Sequence, residues 1–168
     1  MQSMDDRLEA EIPALRRYAF ALLRDHAAAD DLVQDCLERA MSRWHLKRPD
    51  GQLRAWLFTI MRNMHISDLR RQRRRGWHDD IDDVTVPGTR AGQEDGLAVR
   101  DILDALDRLP EEQKSLLLLV GVEEMTYDTA AKVLGIPVGT VMSRLSRGRD
   151  RLRAMLDGRP APGLRRVK

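Results

Sequence analysis

The segment Met125–Arg153, MTYDTAAKVLGIPVGTVMSRLSRGRDRLR, limits the choice of fold more than any other part of the chain. Two helical patterns flank a tight Gly135-Ile136-Pro137 turn. A short helix, a sharp turn and a longer helix with a polar face form the arrangement that lays side chains against DNA. With Val138 at zero on a wheel of about 100° per residue, Val138, Met142, Leu145, Leu152 and Leu156 gather on one side. Thr140, Ser143, Arg144, Arg147 and Arg151 fall on the other, and Arg149 drifts back toward the apolar side. Arginine takes phosphate bidentately or reads guanine in the major groove, and Ser and Thr hydroxyls do either more weakly.

Charge distribution points the same way. The formal net charge is only +2, but it conceals two basic patches. Arg70–Arg75 holds five arginines in six residues, and Met142–Arg153 holds five more. Between them, Trp77–Gly96 carries six carboxylates and one arginine. Such a pattern favours a polyanionic partner. A hydrophobic share of 42% against a charged share of 33% suits a soluble, helix-rich protein. No apolar run approaches the roughly 20 residues of a membrane span, so no membrane insertion is expected. The acidic N-terminus lacks a signal-peptide core. The single cysteine, Cys36, fits a reducing cytoplasm and reads as a small filler. Four scattered histidines offer no metal-ligand spacing, and no metal or cofactor is expected.

Along the chain the periodicity is helical throughout. Leu8, Ile12, Leu15, Ala19 and Leu22/Leu23 define a first pattern to Arg24, with a break or fresh start near Pro13. After Asp25-His26, a second helix over about Ala27–Trp44 turns Leu32, Val33, Leu37, Ala40 and Met41 inward. Lys47–Gly51 reads as a turn. A third helix over about Gln52–Arg74 turns Leu53, Trp56, Leu57, Ile60, Met64 and Leu69 inward. Residues 76–96 lose periodicity and read as a flexible linker. The pattern returns at Leu97 with Val99, Ile102, Leu103, Leu106 and Leu109. Pro110 opens a helix to about Val122, Thr126 caps a short one, and Pro137 opens the last, to Leu156. The expected fold is all-α. It has two small helical domains, 5–75 and 97–157, on an acidic tether, with a disordered tail over 158–168.

The quoted residues also carry a family resemblance. Tyr127, Ala131, Leu134-Gly135-Ile136-Pro137, Gly139-Thr140-Val141, Ser143-Arg144-Leu145 and Arg147-Gly148-Arg149 resemble region 4 of bacterial sigma factors of the extracytoplasmic-function group. Leu106–Glu111 resembles the entry to that domain. Thr129, Ala130 and Met142 depart from the usual pattern. Asp30–Asp35 with Leu37–Ala40 resembles region 2.2, and Leu53–Asp68 with Arg70 and Arg71 resembles regions 2.3 and 2.4. The resemblance runs from about Leu8 to Leu156.

It implies a subunit that binds core RNA polymerase through the β′ coiled coil and the β flap, recognises promoter DNA and is held in check by an anti-sigma factor. Thr140, Ser143, Arg144, Arg147 and Arg151 would face the −35 element. Asn63 would contact a base of the melted −10 element, with Arg54, Arg62, Arg70 and Arg71 on phosphates. Asp31, Gln34, Asp35 and Glu38 would meet the β′ coiled coil. Their spacing alone makes an acidic-polar helix stripe suited to a basic protein partner. The linker would thread toward the RNA exit path.

Two other classes compete. A dimeric helix-turn-helix regulator would need neither the Asp30–Asp35 segment nor the Trp56/Asn63 helix. A DNA-modifying enzyme would need a nucleophile-plus-base or metal-carboxylate constellation, and none stands at convincing spacing, so no enzymatic activity is expected.

Overall fold

The computed structural model describes residues 3–46, 52–76 and 95–158, all helical apart from caps and turns. The expected turn over 47–51, residues 77–94 of the expected linker and residues 159–168 of the expected tail lie outside the described residues. The chain divides into two compact units. Helices between Met4 and Arg75 build the first. Those between Asp95 and Leu156 build the second, apart from Lys132–Gly135, which group with the first.

The first unit begins with α1 (Met4–Glu9), which Ser3 and Asp6 close with a capping box. The break expected near Pro13 falls just before it: α2 (Ile12–Leu23) carries that proline in its first turn, where a missing N–H costs nothing. Arg24 then takes the left-handed conformation, φ 56°. Asp25 caps α3 (His26–Ser42) by accepting from the Ala28 N–H at 2.9 Å. A cap of this kind is worth about 0.5–2 kcal/mol. The Phe20 and His26 rings stack across the turn, centroids 4.2 Å apart. α3 stops at Ser42, short of the expected Trp44, which instead lies in a 3₁₀ turn over Trp44–Leu46. α4 (Leu53–Arg75) completes the unit.

α3 packs between α2 and α4. Leu15, Tyr18 and Ala19 of α2, Cys36 and Ala40 of α3, and Leu57, Phe58 and Met61 of α4 are sealed from solvent. Tyr18 meets Phe58 edge-on, with centroids 5.1 Å apart. The inward phase of α4 thus runs through Leu57, Phe58, Ile60, Met61 and His65. Trp56, expected in the core, is half-buried at the edge, with its ring against Trp44. Met41 is exposed. The Cys36 thiol donates to the Leu57 carbonyl, and burial pushes it up to about 12, so it stays a neutral filler.

In the second unit α5 (Asp95–Asp107) leads through Pro110 to α6 (Glu111–Leu116), which continues as a π-helical stretch over Leu117–Val122. Four consecutive leucines, Leu116–Leu119, are all buried. Lys114, itself buried, reaches Asp107 at 2.7 Å and ties the start of α6 to the end of α5. A buried charge is tolerated only with such a partner. α7 (Tyr127–Leu134) is capped by Thr126, whose hydroxyl accepts from the Thr129 N–H at 3.1 Å. Gly135, φ 65°, ends α7 in the left-handed conformation that glycine adopts freely, and the Ile136 N–H closes back on the Ala131 carbonyl at 3.1 Å. Pro137 then caps α8 (Val138–Leu156). The apolar pattern on α5 overshoots the core: Leu97, Val99 and Ile102 are exposed.

α8 packs on α5, α6 and the π stretch, and Gly148 sits at its contact with α6. A Cβ there would meet Gln113 Cβ at 3.3 Å and Leu117 Cδ1 at 3.4 Å. Gly148→Ala is expected to change stability little, because a helix-propensity gain of about 1 kcal/mol offsets the tight contact. Gly148→Leu is expected to cost about 1–3 kcal/mol by overpacking. Denaturant melts of the two variants measure the difference, and equal stability would place α6 further from α8.

Candidate nucleic-acid interface

The inward face of α8 is set by Val141, Leu145 and Gly148, the three buried residues of the helix. That face lies about 60° around the helix from the side centred on Val138. Two arginines placed outward on the wheel therefore turn toward α6. Arg144 Nη1 lies 3.5 Å from Glu112 Oε2, and Arg151 Nη1 donates to Gln113 Oε1 at 3.3 Å. Both arginines are half-buried. Met142 and Leu156, placed inward on the wheel, are exposed. Thr140 is half-buried, while Ser143 and Arg147 stand in solvent. The Ser143 hydroxyl donates to the Thr140 carbonyl. The solvent face of α8 comprises Gly139, Met142, Ser143, Ser146, Arg147, Arg149, Asp150, Arg153 and Leu156. Arg149 and Arg153 join the cationic surface that Arg144 and Arg151 leave.

On α4 the outward stripe opposite the core runs through Asn63, Ser67, Arg70 and Arg74, all exposed. Asn63 and Arg70 are two turns apart on one face. Arg62 flanks them half-buried. Arg54 is differently employed. Its Nη1 lies 3.4 Å from Glu11 Oε2, and its guanidinium carbon stands 5.7 Å from the Phe58 ring centroid. It braces the start of α4 on α2. Arg71 pairs with Asp68 at 3.2 Å on the surface, a contact worth at most about 1 kcal/mol.

Asp31, Gln34, Asp35 and Glu38 are all exposed on α3. The Gln34 amide donates to Glu38 Oε1 at 3.2 Å, aligning two members of the stripe. Asp35 and Glu38 also line a groove between α3 and α4 with Arg39, Arg43 and Arg71. Arg71 thus stands beside the acidic stripe. Among the described residues, no cluster of three or more His, Cys, Asp or Glu side chains is arranged to hold a metal.

A family model for the sigma2 domain of PhyR matches residues 8–62, and one for sigma-70 region 4 matches residues 100–152. The ECF RNA polymerase sigma factor EcfG of Rhodopseudomonas palustris is 39% identical over 154 residues, spanning 92% of this chain and 85% of that protein. The chain belongs to the ECF RNA polymerase sigma factors. Solved sigma-factor structures agree. The sigma factor RpoE of Bartonella quintana, crystallised with the anti-sigma factor NepR, superposes with a TM-score of 0.79 at 35% identity, covering 91% of this chain and 96% of that one. CnrH, solved with the cytosolic domain of CnrY, superposes at 0.71 and 27% identity, covering 92% and 87%.

In this sigma factor the exposed cations Arg149 and Arg153 lie outside the polar side of a wheel centred on Val138. The run Val141, Leu145, Gly148, Leu152, at spacings of four, three and four, carries the correct phase. Gly148 is the signal within it: a glycine inside a long helix marks a close approach to a neighbour.

Proposed function

We propose that this sigma factor binds core RNA polymerase, directs it to promoters and assists opening of the −10 element, adding no bond-making chemistry of its own. In this reading the first unit docks through Asp31, Gln34, Asp35 and Glu38 on a basic surface of the β′ coiled coil. Asn63 takes a base of the melted strand, while Arg62 and Arg70 hold flanking phosphates and Arg71 joins them from the α3 side. The second unit meets the −35 duplex with α8, using Ser143 and Arg147 together with Arg149 and Arg153, and docks on the β flap. Thr140 stands at the edge of this surface. Arg54, Arg144 and Arg151 serve mainly to brace their helices.

The observation that carries the proposal is the pairing of two unlike exposed surfaces in one chain: an acidic stripe on α3 and cationic faces on α4 and α8. A duplex-DNA regulator needs only the second. RpoE of Bartonella quintana was solved with the anti-sigma factor NepR, and an anti-sigma factor is proposed to hold this chain inactive. The exposed apolar residues Leu97, Val99 and Ile102 on α5 suit a protein partner of that kind. Among the described residues no helix is long and apolar enough to cross a membrane, and the proposed site of action is the cytoplasm.

Immobilised core polymerase tests the proposal. The chain is expected to be retained, and Arg147→Ala is expected to be retained equally but to be weaker in promoter-dependent run-off transcription. Failure of the unaltered chain to bind core would overturn it.

A further inference from the structure

The solvent face of α8 is polar or small at every position but two. Leu156 lies in the last turn, and Met142 lies in the second turn with half its surface exposed. Val138, Val141, Leu145, Leu152 and Met155 are all buried or half-buried, so the helix has an inward home for its other large apolar residues. Met142 lies about 100° around the helix from that inward face, on its solvent-exposed flank. It lies in line with Gly139, Ser146, Arg149 and Arg153, at helical spacings of three and four. It also lines a shallow groove with Tyr127, Ser146, Arg149, Asp150 and Arg153. A single exposed methionine on an ordinary surface needs no explanation. This one occupies the early part of a recognition helix, where side chains reach base edges, while the arginines that neutralise phosphates lie further along.

We propose that Met142 is a specificity-determining residue that packs against the 5-methyl group of a thymine in the −35 element. The inference rests on the sigma-factor reading of α8. A thioether offers no strong donor and only a weak acceptor, so it gives nothing to the polar edges of guanine, adenine or cytosine. Placed against them it would strip water from groups it cannot satisfy. The thymine methyl is the one apolar feature of the major-groove edge. Gly139, one turn earlier and without a side chain, leaves the backbone free to approach, so Met142 is the first bulky group that the duplex meets along this line.

Replacing thymine by deoxyuridine deletes that methyl and leaves base pairing intact. The −35 element is first defined by transcription from a randomised template with core polymerase. Each of its thymines is then replaced singly. With the unaltered chain, one replacement is expected to lower promoter binding about fourfold, the value of one buried methyl-sized group. Met142→Ala is expected to bind the thymine template correspondingly less well and to ignore the replacement. A selected −35 element without thymine overturns the proposal. So does indifference of the unaltered chain to every replacement, or unchanged sensitivity in Met142→Ala. Absence of any chain-dependent transcription would instead remove the sigma-factor reading beneath it.

Discussion

Leu145→Ala is expected to destabilise the second unit by about 2–5 kcal/mol, the usual cost of truncating a sealed leucine. Leu145 is 1% exposed and lies with Val141 on the face that α8 turns to the core. A helical unit this small has a total stability of the same order, so most of its margin goes with one side chain. At about 4–8 °C per kcal/mol for small domains, the melting transition of the second unit should fall by at least roughly 8 °C. The control is Leu156→Ala. Sequence periodicity alone put Leu156 on the same apolar side, yet it is 45% exposed. Its truncation should stay within about 0.5 kcal/mol. Thermal melts followed by circular dichroism separate the two, and equal losses would mean that α8 is rotated from the phase described.

Reversing the acidic stripe should have the other large effect. In Asp31→Lys/Asp35→Lys/Glu38→Lys, three exposed carboxylates on α3 become cations without touching the core beneath them. Like charges set against a basic partner cost several kcal/mol, which corresponds to at least about a hundredfold loss of affinity for core polymerase. Far-UV circular dichroism should be unchanged, and the loss should shrink as salt is raised. The α8 surface is unaltered, so weak salt-dependent binding to duplex DNA should survive. A variant that binds core as tightly as the unaltered chain would remove the stripe from the docking surface.

Most of the fold was legible because helix punctuation is local. Pro13, Asp25, Pro110, Thr126 and the Gly135-Ile136-Pro137 turn each act through their own backbone, and the helices start and stop beside them. Helical phase was less legible. On α8, the buried face lies about 60° around the helix from Val138. That offset places Arg149 outward and Arg144 and Arg151 toward Glu112 and Gln113. On α4 the inward phase of Phe58, Met61 and His65 was masked by alternatives at Trp56 and Met64, because apolar residues occur on several sides of that helix. Charge type alone also does not show that Arg54 is paired within the fold. Its distance to Glu11 is a tertiary fact, 43 residues apart in sequence, which no local pattern encodes. The acidic stripe, by contrast, needed only the helix and its period.

In the proposed function the two units work as paired promoter contacts on one polymerase. A template library with randomised upstream sequence, transcribed by core polymerase with and without the chain and read at the 5′ ends, measures this directly. Transcripts are expected only when chain and core are both present, each starting at a fixed distance from two selected boxes. A single selected box recovered by the chain in the absence of polymerase, with no chain-dependent transcripts, would contradict it.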